Sequence, residues 1–563
     1  MVLTEIFNEN SNSTFFKEGP LAQIQDLVNV WSVVILLSLG LIYFALDAFL
    51  QRRQSSVKSP PGPTCAKIPF SPVLVWHEFR GNRRLYIHSL HERYGDAVRI
   101  GYNEYSFASV TAVSTIYMRN DKVELEKSSF YSLFELYGVK TSFSTLGNKE
   151  PYTNSKIVKE GALAVIQNRA DAFIRQVEEK DGYMDVYWQS QLTSVARNTC
   201  IVMHWIAQLG RQNGTHSFES EQDKNIMREM SYHDSLKSQL VHFHAPTFLA
   251  GYLEQILPHR PNPLADAFVK NACQPPESGS SATNASYSLL HHLETREKFH
   301  PGNMPAEIMD HLAAGVDTTG DALCFLMYLL SLPQNQSVQD ELRIQLKNKD
   351  AGVTYMDAVI SEGLRCFPPI PMSQPRVVPS EGIIIGGYDI PGESIVGVQA
   401  WSLHRNPKNF EDPDEFRPER WLRANKECKS AYLAFGTGNR RCKGKYLAME
   451  EMKCLLRKIY FELSTSIDSR WTTHVEDMQM ADQIIASRPK GQKCLLRFKL
   501  ADTVGSRLLD TVKGKLPSTV EGGVKSRQEK RLEVYKLEYR PQKEDDKDGL
   551  MSVGGTISRS SIV

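Results

Sequence analysis

The chain has 563 residues, a length that one large domain or several average domains could fill. Its 66 Lys and Arg residues and 65 Asp and Glu residues leave a formal net charge of +1, so it has no basic surplus to neutralise nucleic-acid phosphates. The nine cysteines include no pair with redox or disulfide-scaffold spacing. The composition therefore disfavours a nucleic-acid-binding protein and indicates reduced thiols in the cytosol.

An uncharged apolar segment near the start predicts a membrane-spanning helix. Residues 28–46 contain no charged side chain, and at ~1.5 Å per residue they would span roughly 29 Å, close to the ~30 Å hydrocarbon core. A cleaved secretory signal is the alternative, disfavoured because the run is long, follows an acidic lead and lacks a small-residue cleavage site. We therefore expect a lumenal lead at 1–27 and a transmembrane helix at 28–50.

The charges on either side of this helix predict its orientation. Arg52, Arg53 and Lys58 follow the span, whereas acidic residues dominate the lead. By the positive-inside bias, the bulk of the chain lies in the cytosol. Asn12 begins an Asn-Ser-Thr glycosylation acceptor that only this orientation could use.

A basic and proline-rich hinge at 51–66 precedes a region whose hydrophobic periodicity is mainly helical. Predicted helices lie at 85–94, 171–208, 222–242, 303–332, 355–364 and 446–461. Predicted strands lie at 97–100, 106–112, 383–385 and 394–401. Residues 274–288 are rich in Pro, Ser, Gly and Asn and predict a surface loop, and the charge-rich tail at 501–563 is expected to be disordered.

The predicted helix at 303–332 has an unusual middle. Pro305 in its first turn and Pro333 after its end mark its bounds. Its middle reads Ala-Gly-Val-Asp-Thr-Thr over 314–319, although glycine and threonine are poor helix formers. A threonine hydroxyl can donate to a carbonyl of the preceding turn and open the helix. By itself, this pattern indicates an ordinary helical kink.

A single cysteine lies in a glycine-rich, basic loop directly before the predicted helix at 446–461. The loop reads Phe-Gly-Thr-Gly-Asn-Arg-Arg-Cys-Lys-Gly over 435–444, and its glycines allow the backbone to bend sharply. The basic neighbours and the helix N-terminus predict a lowered pKa for the Cys442 thiol. The loop therefore predicts a thiolate that could bind a soft metal.

Other interpretations of this loop fit less well. A structural buried cysteine is the ordinary alternative. A zinc site would need ligands at short spacing, and Cys428 and Cys454 are too far along the chain. A phosphate-binding loop would need four residues between its glycines and Ser or Thr at the position of Tyr446. A single thiolate with basic neighbours suits haem iron, whose propionates need cations.

The loop resembles the haem-binding signature of the cytochrome P450 family, Phe-x-x-Gly-x-Arg-x-Cys-x-Gly. The matching residues are Phe435, Gly438, Arg440, Cys442 and Gly444. The resemblance implies haem b (iron protoporphyrin IX) with Cys442 as its axial iron ligand. It also implies a mainly α P450 fold, a large helical domain with a small β-region, over 67–500. Lys443 departs from the family, which usually has an apolar residue there.

The middle of the helix at 303–332 is similar to the oxygen-binding helix of that family. By this resemblance, Thr318 would hydrogen-bond dioxygen and Asp317 would relay protons. Ala314 and Gly315 would leave room over the porphyrin. An acid beside a hydroxyl makes chemical sense because the reaction requires proton delivery.

Further family motifs follow in the expected order. Glu362 and Arg365 resemble a buried Glu-x-x-Arg pair, and Arg420 resembles the downstream arginine that joins it, so these three imply a structural triad. Arg376 resembles the arginine on a strand that meets a haem propionate.

The resemblance is weaker at 141–162. Family members commonly carry an aromatic residue and an arginine there that reach a haem propionate. This chain offers Tyr152, Lys156 and Lys159. Either the propionate contacts differ, or part of that helix is missing from this sequence.

Together, the motifs resemble those of membrane-anchored eukaryotic, most closely fungal, members of the family. The resemblance implies a single-pass protein of the endoplasmic reticulum membrane with a cytosolic catalytic domain. Electrons would come from NADPH through a partner reductase, and one atom of O2 would be inserted into an organic substrate. The ranges expected to line the substrate site, 130–143, 370–374 and 478–485, are mostly apolar and predict a lipophilic substrate. A role in specialised metabolism is a hypothesis.

Two alternatives stay open at this point. The first keeps the fold but not oxygen activation, as in an isomerase or dehydratase, and the pair Asp317-Thr318 disfavours it. The second is a non-catalytic haem-binding or ligand-binding membrane protein. Lys443 and the weak region around Tyr152 motivate it.

Overall fold

A computed structural model of the chain describes residues 59–118, 125–146, 161–188, 220–230, 236–245, 261–273, 300–348 and 354–501, with isolated positions elsewhere. Outside these residues lie the predicted transmembrane segment, apart from Ser38, and the sites around Asn12 and Tyr152. The predicted loop at 274–288 and the tail after residue 501 also lie outside them. Within the described ranges, no helix is long and apolar enough to cross a membrane.

Helices make up most of the described part of the chain. They are α1 (Pro72–Phe79), α2 (Arg83–Tyr94), α3 (Val110–Tyr117), α4 (Gly161–Glu179), α5 (Glu221–Met230), α6 (Leu236–His244), α7 (Pro263–Ala272), α8 (Met304–Ser331), α9 (Gln336–Lys347), α10 (Thr354–Cys366), α11 (Ala400–His404), α12 (Glu419–Leu422), α13 (Lys426–Ser430), α14 (Lys445–Glu462) and α15 (His474–Asp477). Short 3-10 helices lie at Thr64–Lys67, Ser129–Phe134, Pro301–Asn303, Pro333–Asn335 and Gly438–Arg440.

The strands form small sheets beside the helices. They are β1 (Ala97–Gly101), β2 (Glu104–Phe107), β3 (Glu126–Lys127), β4 (Tyr183–Asp185), β5 (Arg376–Val377), β6 (Ile383–Ile385), β7 (Tyr388–Ile390), β8 (Ile395–Val398), β9 (Leu463–Ile467), β10 (Met480–Gln483), β11 (Ala486–Pro489) and β12 (Leu495–Leu500). One sheet has the order β1-β2-β8-β5-β3, with β2 and β8 parallel, and another has the order β4-β12-β9. Two hairpins, β6-β7 and β10-β11, complete the described β-structure.

Helix α8 passes through the core. Its C-terminal half, from Thr319 to Ser331, is buried on all sides, which is the pattern of a helix surrounded by other elements. It packs against α10, α14, β9 and β11. Pro305 lies in its first turn, and Pro333 follows its end. This helix therefore brings the middle segment at 314–319 into the interior of the domain.

The structure confirms most of the predicted elements and corrects three of them. The helices predicted at 85–94, 303–332, 355–364 and 446–461 correspond to α2, α8, α10 and α14. The strand predicted at 106–112 is wrong beyond Phe107, because Ser109 caps a helix by accepting a hydrogen bond from Ala112 N at 3.3 Å. The strand predicted at 394–401 is wrong beyond Val398, because Leu403 N donates to Gln399 O at 3.0 Å and helix α11 begins at Ala400. The helix predicted from 171 ends at Glu179, after which Gly182 adopts a positive φ and β4 begins.

Candidate active site

Two glycines shape the cysteine loop. Gly436 and Gly438 have φ values of +62° and +69°, which residues with a Cβ rarely adopt. Gly438 also lies against the backbone of Tyr117, where a Cβ would come within 1.9 Å of the carbonyl oxygen. Cys442 N donates to Phe435 O at 2.8 Å and closes the loop. Helix α14 then begins at Lys445, and the Cys442 side chain stays accessible.

The surroundings of the Cys442 thiol act on its pKa in opposite directions. Desolvation by the surrounding protein raises the pKa, while the backbone N–H groups of Gly444 and Lys445 and the Lys445 charge lower it. Desolvation has the larger effect, so the predicted lowering is wrong for the protein alone. Ligation to a metal would deprotonate the thiol outright.

The middle of α8 is partly open, whereas the turns that follow it from Thr319 are closed. Ala314 is exposed, and Gly315, Asp317 and Thr318 are partly exposed, whereas Leu312 and Val316 are buried. The Thr318 hydroxyl donates to Ala314 O at 2.6 Å, which is the bond expected of a mid-helix threonine. Burial raises the pKa of Asp317 to about 6, although Arg488, 3.5 Å away, lowers it. An acid with such a pKa can take up and release protons near neutral pH.

Buried positive charges gather around strands β3 and β5. Arg376 is buried and donates to Tyr131 Oη at 3.3 Å. Lys127 lies opposite Arg376 in the β3-β5 register, with its Nζ 4.4 Å from the Tyr131 ring centroid. Burial, followed by the charges of Arg440 and Arg376, lowers the pKa of Lys127 to about 7. Sequence reasoning missed Lys127, because only the strand pairing brings it to Arg376.

These residues fit a haem group. Lys127 and Arg376 are both buried, and the charges of Arg440 and Arg376 add to the larger effect of burial in lowering the pKa of Lys127. The two propionates of a haem would supply negative charge to these cations. Cys442 offers the single thiol that haem iron could bind as a thiolate. Within the described ranges, no cluster of three or more His, Cys, Asp or Glu side chains could hold a metal ion.

A sequence model of the cytochrome P450 family matches residues 60–495. The chain belongs to that family. Its relatives include Cytochrome P450 monooxygenase stcB from Emericella nidulans, 28% identical over 78% of this chain and 88% of the relative. Cytochrome P450 monooxygenase astD from Aspergillus oryzae is 26% identical over 74% of this chain and 85% of the relative. Pisatin demethylase from Fusarium vanettenii is 26% identical over 78% of this chain and 90% of the relative.

Near the signature of this P450, a buried ion network joins α10 to a distant loop. Glu362 and Arg365 are fully buried, and Arg365 donates to both carboxylate oxygens, at 2.9 and 2.8 Å. Arg420 Nε and Trp421 Nε1 donate to the same carboxylate at 3.0 and 2.9 Å. The structure thus brings together the three residues of the expected triad, and the charges compensate each other away from water.

The other predicted site residues lie in two groups. Phe435, Gly438, Arg440, Cys442 and Gly444 share the cysteine loop, and Ala314, Gly315, Asp317 and Thr318 share the open stretch of α8. Arg376 lies on β5. Lys443 is partly exposed, and burial together with Arg441 and Arg440 lowers its pKa. The glycosylation acceptor Asn12 lies outside the described residues.

Replacing Gly438 by alanine tests the close approach of the cysteine loop to Tyr117. Gly138 is a matched control, because its φ is +71° and a Cβ there would meet no atom within 4 Å. Both variants incur the positive-φ strain, but only Gly438→Ala adds a clash. We expect Gly438→Ala to lower the free energy of unfolding by about 1–3 kcal/mol more than Gly138→Ala, and to lower the haem content. Equal losses in denaturant unfolding and haem content would contradict the steric explanation.

Removing the Glu362 carboxylate tests the ion network. Glu362→Ala leaves the buried Arg365 without its counter-charge, so we expect a loss of about 3–5 kcal/mol in the free energy of unfolding. Glu411→Ala is the control, because Glu411 is exposed and pairs with Arg417 at 3.3 Å; its loss should stay below about 1 kcal/mol. Comparable unfolding midpoints for the two variants would mean that the triad does not stabilise the domain.

Proposed function

We propose that the chain is a haem-thiolate monooxygenase that inserts one atom of O2 into a lipophilic organic substrate. The observation that carries this proposal is the accessible Cys442 in a glycine-shaped loop of a cytochrome P450. The names of its relatives, which include cytochrome P450 monooxygenases from two fungi, support the reaction class. A role in fungal specialised metabolism is part of this proposal, and the fungal sources of the relatives are in keeping with it.

The cysteine side of the site would hold the cofactor. Haem, when bound through a thiolate, supplies the activation of dioxygen. Cys442 Sγ would bind its iron, and Phe435, Gly438 and Gly444 would shape the loop that holds it. Arg376 would pair with a propionate, as the family resemblance implies, and Arg440 would supply a second cation beside it. Lys127 would join them, because it is buried beside both arginines.

The residues of α8 would transfer protons and leave room for the cofactor. Ala314 and Gly315 would leave room above the porphyrin because they carry little or no side chain. Thr318 Oγ1 directs its own hydrogen to Ala314 O, so its lone pairs could accept a hydrogen bond. Asp317 would take a proton from solvent at its carboxylate and pass a proton on towards the Thr318 hydroxyl. Its pKa of about 6 suits such an exchange.

A group of phenylalanines supports a lipophilic substrate. Phe134 and Phe143 pack edge to face with their ring centroids 5.0 Å apart, and Phe130 packs against Phe134 at 5.9 Å. All three lie in the stretch expected to line the substrate site. Aromatic side chains favour apolar ligands because contact with them removes apolar surface from water.

The remaining assignments rest on the sequence. NADPH would supply electrons through a partner reductase. The uncharged run at 28–46 supports a transmembrane helix at 28–50, between a lumenal lead at 1–27 carrying a glycosylated Asn12 and a hinge at 51–66. The catalytic domain at 67–500 would face the cytosol at the endoplasmic reticulum membrane, followed by a disordered tail at 501–563.

The reduced carbon-monoxide difference spectrum tests the proposed function. We expect microsomes that contain the full chain to give the red-shifted Soret band of a thiolate-ligated haem. Cys442→Ser should lose this band and monooxygenation together, because a hydroxyl does not replace a thiolate ligand. Cys428→Ser is the control and should keep both. Substrate oxidation by Cys442→Ser at the parent rate would overturn the proposal, as would haem in the parent without the thiolate band.

Replacing Thr318 tests the proton side of the site. We expect Thr318→Ala to keep its haem but to release more NADPH-derived electrons as hydrogen peroxide, because the hydroxyl that orients the proton is gone. Thr318→Ser retains the hydroxyl and should retain most of the coupling. Product and peroxide are measured per NADPH consumed. Unchanged coupling in Thr318→Ala would remove Thr318 from the mechanism.

A further inference from the structure

A buried arginine from the C-terminal hairpin reaches the predicted proton-relay acid. Arg488 lies on β11 and is 2% exposed. Its Nη2 atom is 3.5 Å from Asp317 Oδ1 and 3.9 Å from Asp321 Oδ2. Its Nη1 atom donates to Tyr187 Oη at 3.2 Å. Two carboxylates on α8 therefore share one guanidinium that comes from another part of the chain.

The two aspartates differ in their access to solvent. The Asp321 side chain is 1% exposed, whereas the Asp317 side chain is 27% exposed. Asp321 can therefore act as a fixed buried counter-charge that holds Arg488 in place. Asp317 lies at the accessible side of the same guanidinium and next to Thr318 in sequence. Only this second carboxylate can exchange protons readily with water.

The hairpin that carries Arg488 is held in place at a second point. Asp482 on β10 accepts from Arg84 Nε at 2.9 Å and from Arg84 N at 2.9 Å. Ser487 Oγ donates to the same carboxylate at 3.0 Å. The Arg488 backbone is thus fixed from both sides of the hairpin, and its guanidinium has little freedom to leave α8. A rigid support of this kind orients a side chain for a reaction.

We propose that Arg488 is a positioning residue for proton delivery, which holds the Asp317 carboxylate in orientation and in its charged form beside Thr318. This inference rests on the proposed function. In each cycle Asp317 gains one proton from water and gives one up towards the Thr318 hydroxyl, so the carboxylate is restored. Arg488 neither gains nor loses a proton.

The electrostatics agree with this role. Burial raises the pKa of Asp317, and the Arg488 charge opposes that effect. The pKa of Arg488 is itself raised, because the attraction of Asp321 and Asp317 outweighs burial. Among the described residues, the charged or titratable groups around this site include Arg488 from β11, Asp321 and Cys324 from α8, and Tyr187, which follows β4. Without Arg488, only the effect of burial would remain, and Asp317 would hold its proton more tightly.

The test combines a charge-removing variant with two controls. Arg488→Gln removes the guanidinium, and Arg488→Gln combined with Asp321→Asn also removes the buried carboxylate charge that the guanidinium faces, so that both buried charges are removed together. Arg488→Lys retains a cation. Arg84→Gln makes the same exchange at the other support of the hairpin without a contact to Asp317.

We expect the double variant to bind haem as the parent does. The fraction of NADPH electrons that reach product should fall roughly tenfold, which is less than the ~10²-fold or larger loss expected when an acid–base group itself is removed. The pH midpoint of coupling should rise by about one pH unit in the double variant. The midpoint of Arg488→Lys should lie between those of the parent and the double variant. Arg84→Gln should move the midpoint less than the double variant does, because the Arg488 charge is retained even where its support is weakened. An unmoved midpoint in the double variant, or an equal shift in Arg84→Gln, would overturn the proposal.

A second measurement does not depend on turnover. Because the folded-state pKa of Asp317 is raised to about 6, the folded state binds more protons than the unfolded state, and stability falls as pH rises through that pKa. The difference in melting temperature between the parent and Asp317→Asn should therefore level off above about pH 7. When both proteins also carry Arg488→Gln, the difference in melting temperature should level off only at a higher pH. Identical curves would show that Arg488 does not act on Asp317, whereas a missing thiolate band in the parent would count against the proposed function alone.

Discussion

The buried guanidinium of Arg365 is the contact on which the cysteine side of the domain depends. Besides both oxygens of Glu362, it donates to the carbonyl oxygens of His404, Pro413 and Glu415, at 2.9, 2.6 and 2.9 Å. A single side chain of α10 thereby ties down the long loop that precedes the cysteine. Because all of its donors are satisfied by an acid or by backbone carbonyls, a fully buried charge becomes tolerable.

His404 links Arg365 to the cysteine loop through polar contacts of its two ring nitrogens. Its Nδ1 lies 3.2 Å from Arg365 O, and its Nε2 accepts from Leu433 N at 2.9 Å. Burial, followed by the charges of Arg365 and Arg405, lowers the pKa of His404 to about 3, so the ring is neutral and can accept this bond at Nε2. Gly436 N donates to Leu433 O at 2.9 Å, which begins the turn towards Cys442. The position of the cysteine is thus set by a chain of buried polar contacts that starts at α10.

The two sides of the candidate site differ in charge. Near the strands, Lys127 experiences the charges of Arg440 and Arg376, and this group of cations suits the propionates of a haem. On α8, Asp317 and Asp321 share Arg488. The first group would hold a dianionic cofactor edge, and the second would exchange protons. Both depend on burial, because the same charges in water would interact only weakly.

The sequence by itself determined the elements and residues whose signals are local. The motifs and their order singled out Cys442, Asp317 with Thr318, and Glu362 with Arg365 as candidates, and two prolines marked the bounds of α8. The prediction failed where a local hydrogen bond outweighed the alternation of apolar residues, as at Ser109. It could not reach Lys127 or Arg488, because the β3-β5 register and the β10-β11 hairpin bring these charges to partners that are far away in sequence. Only the tertiary structure decided these contacts, since a charge has a defined partner and an altered pKa only once folding has excluded water around it.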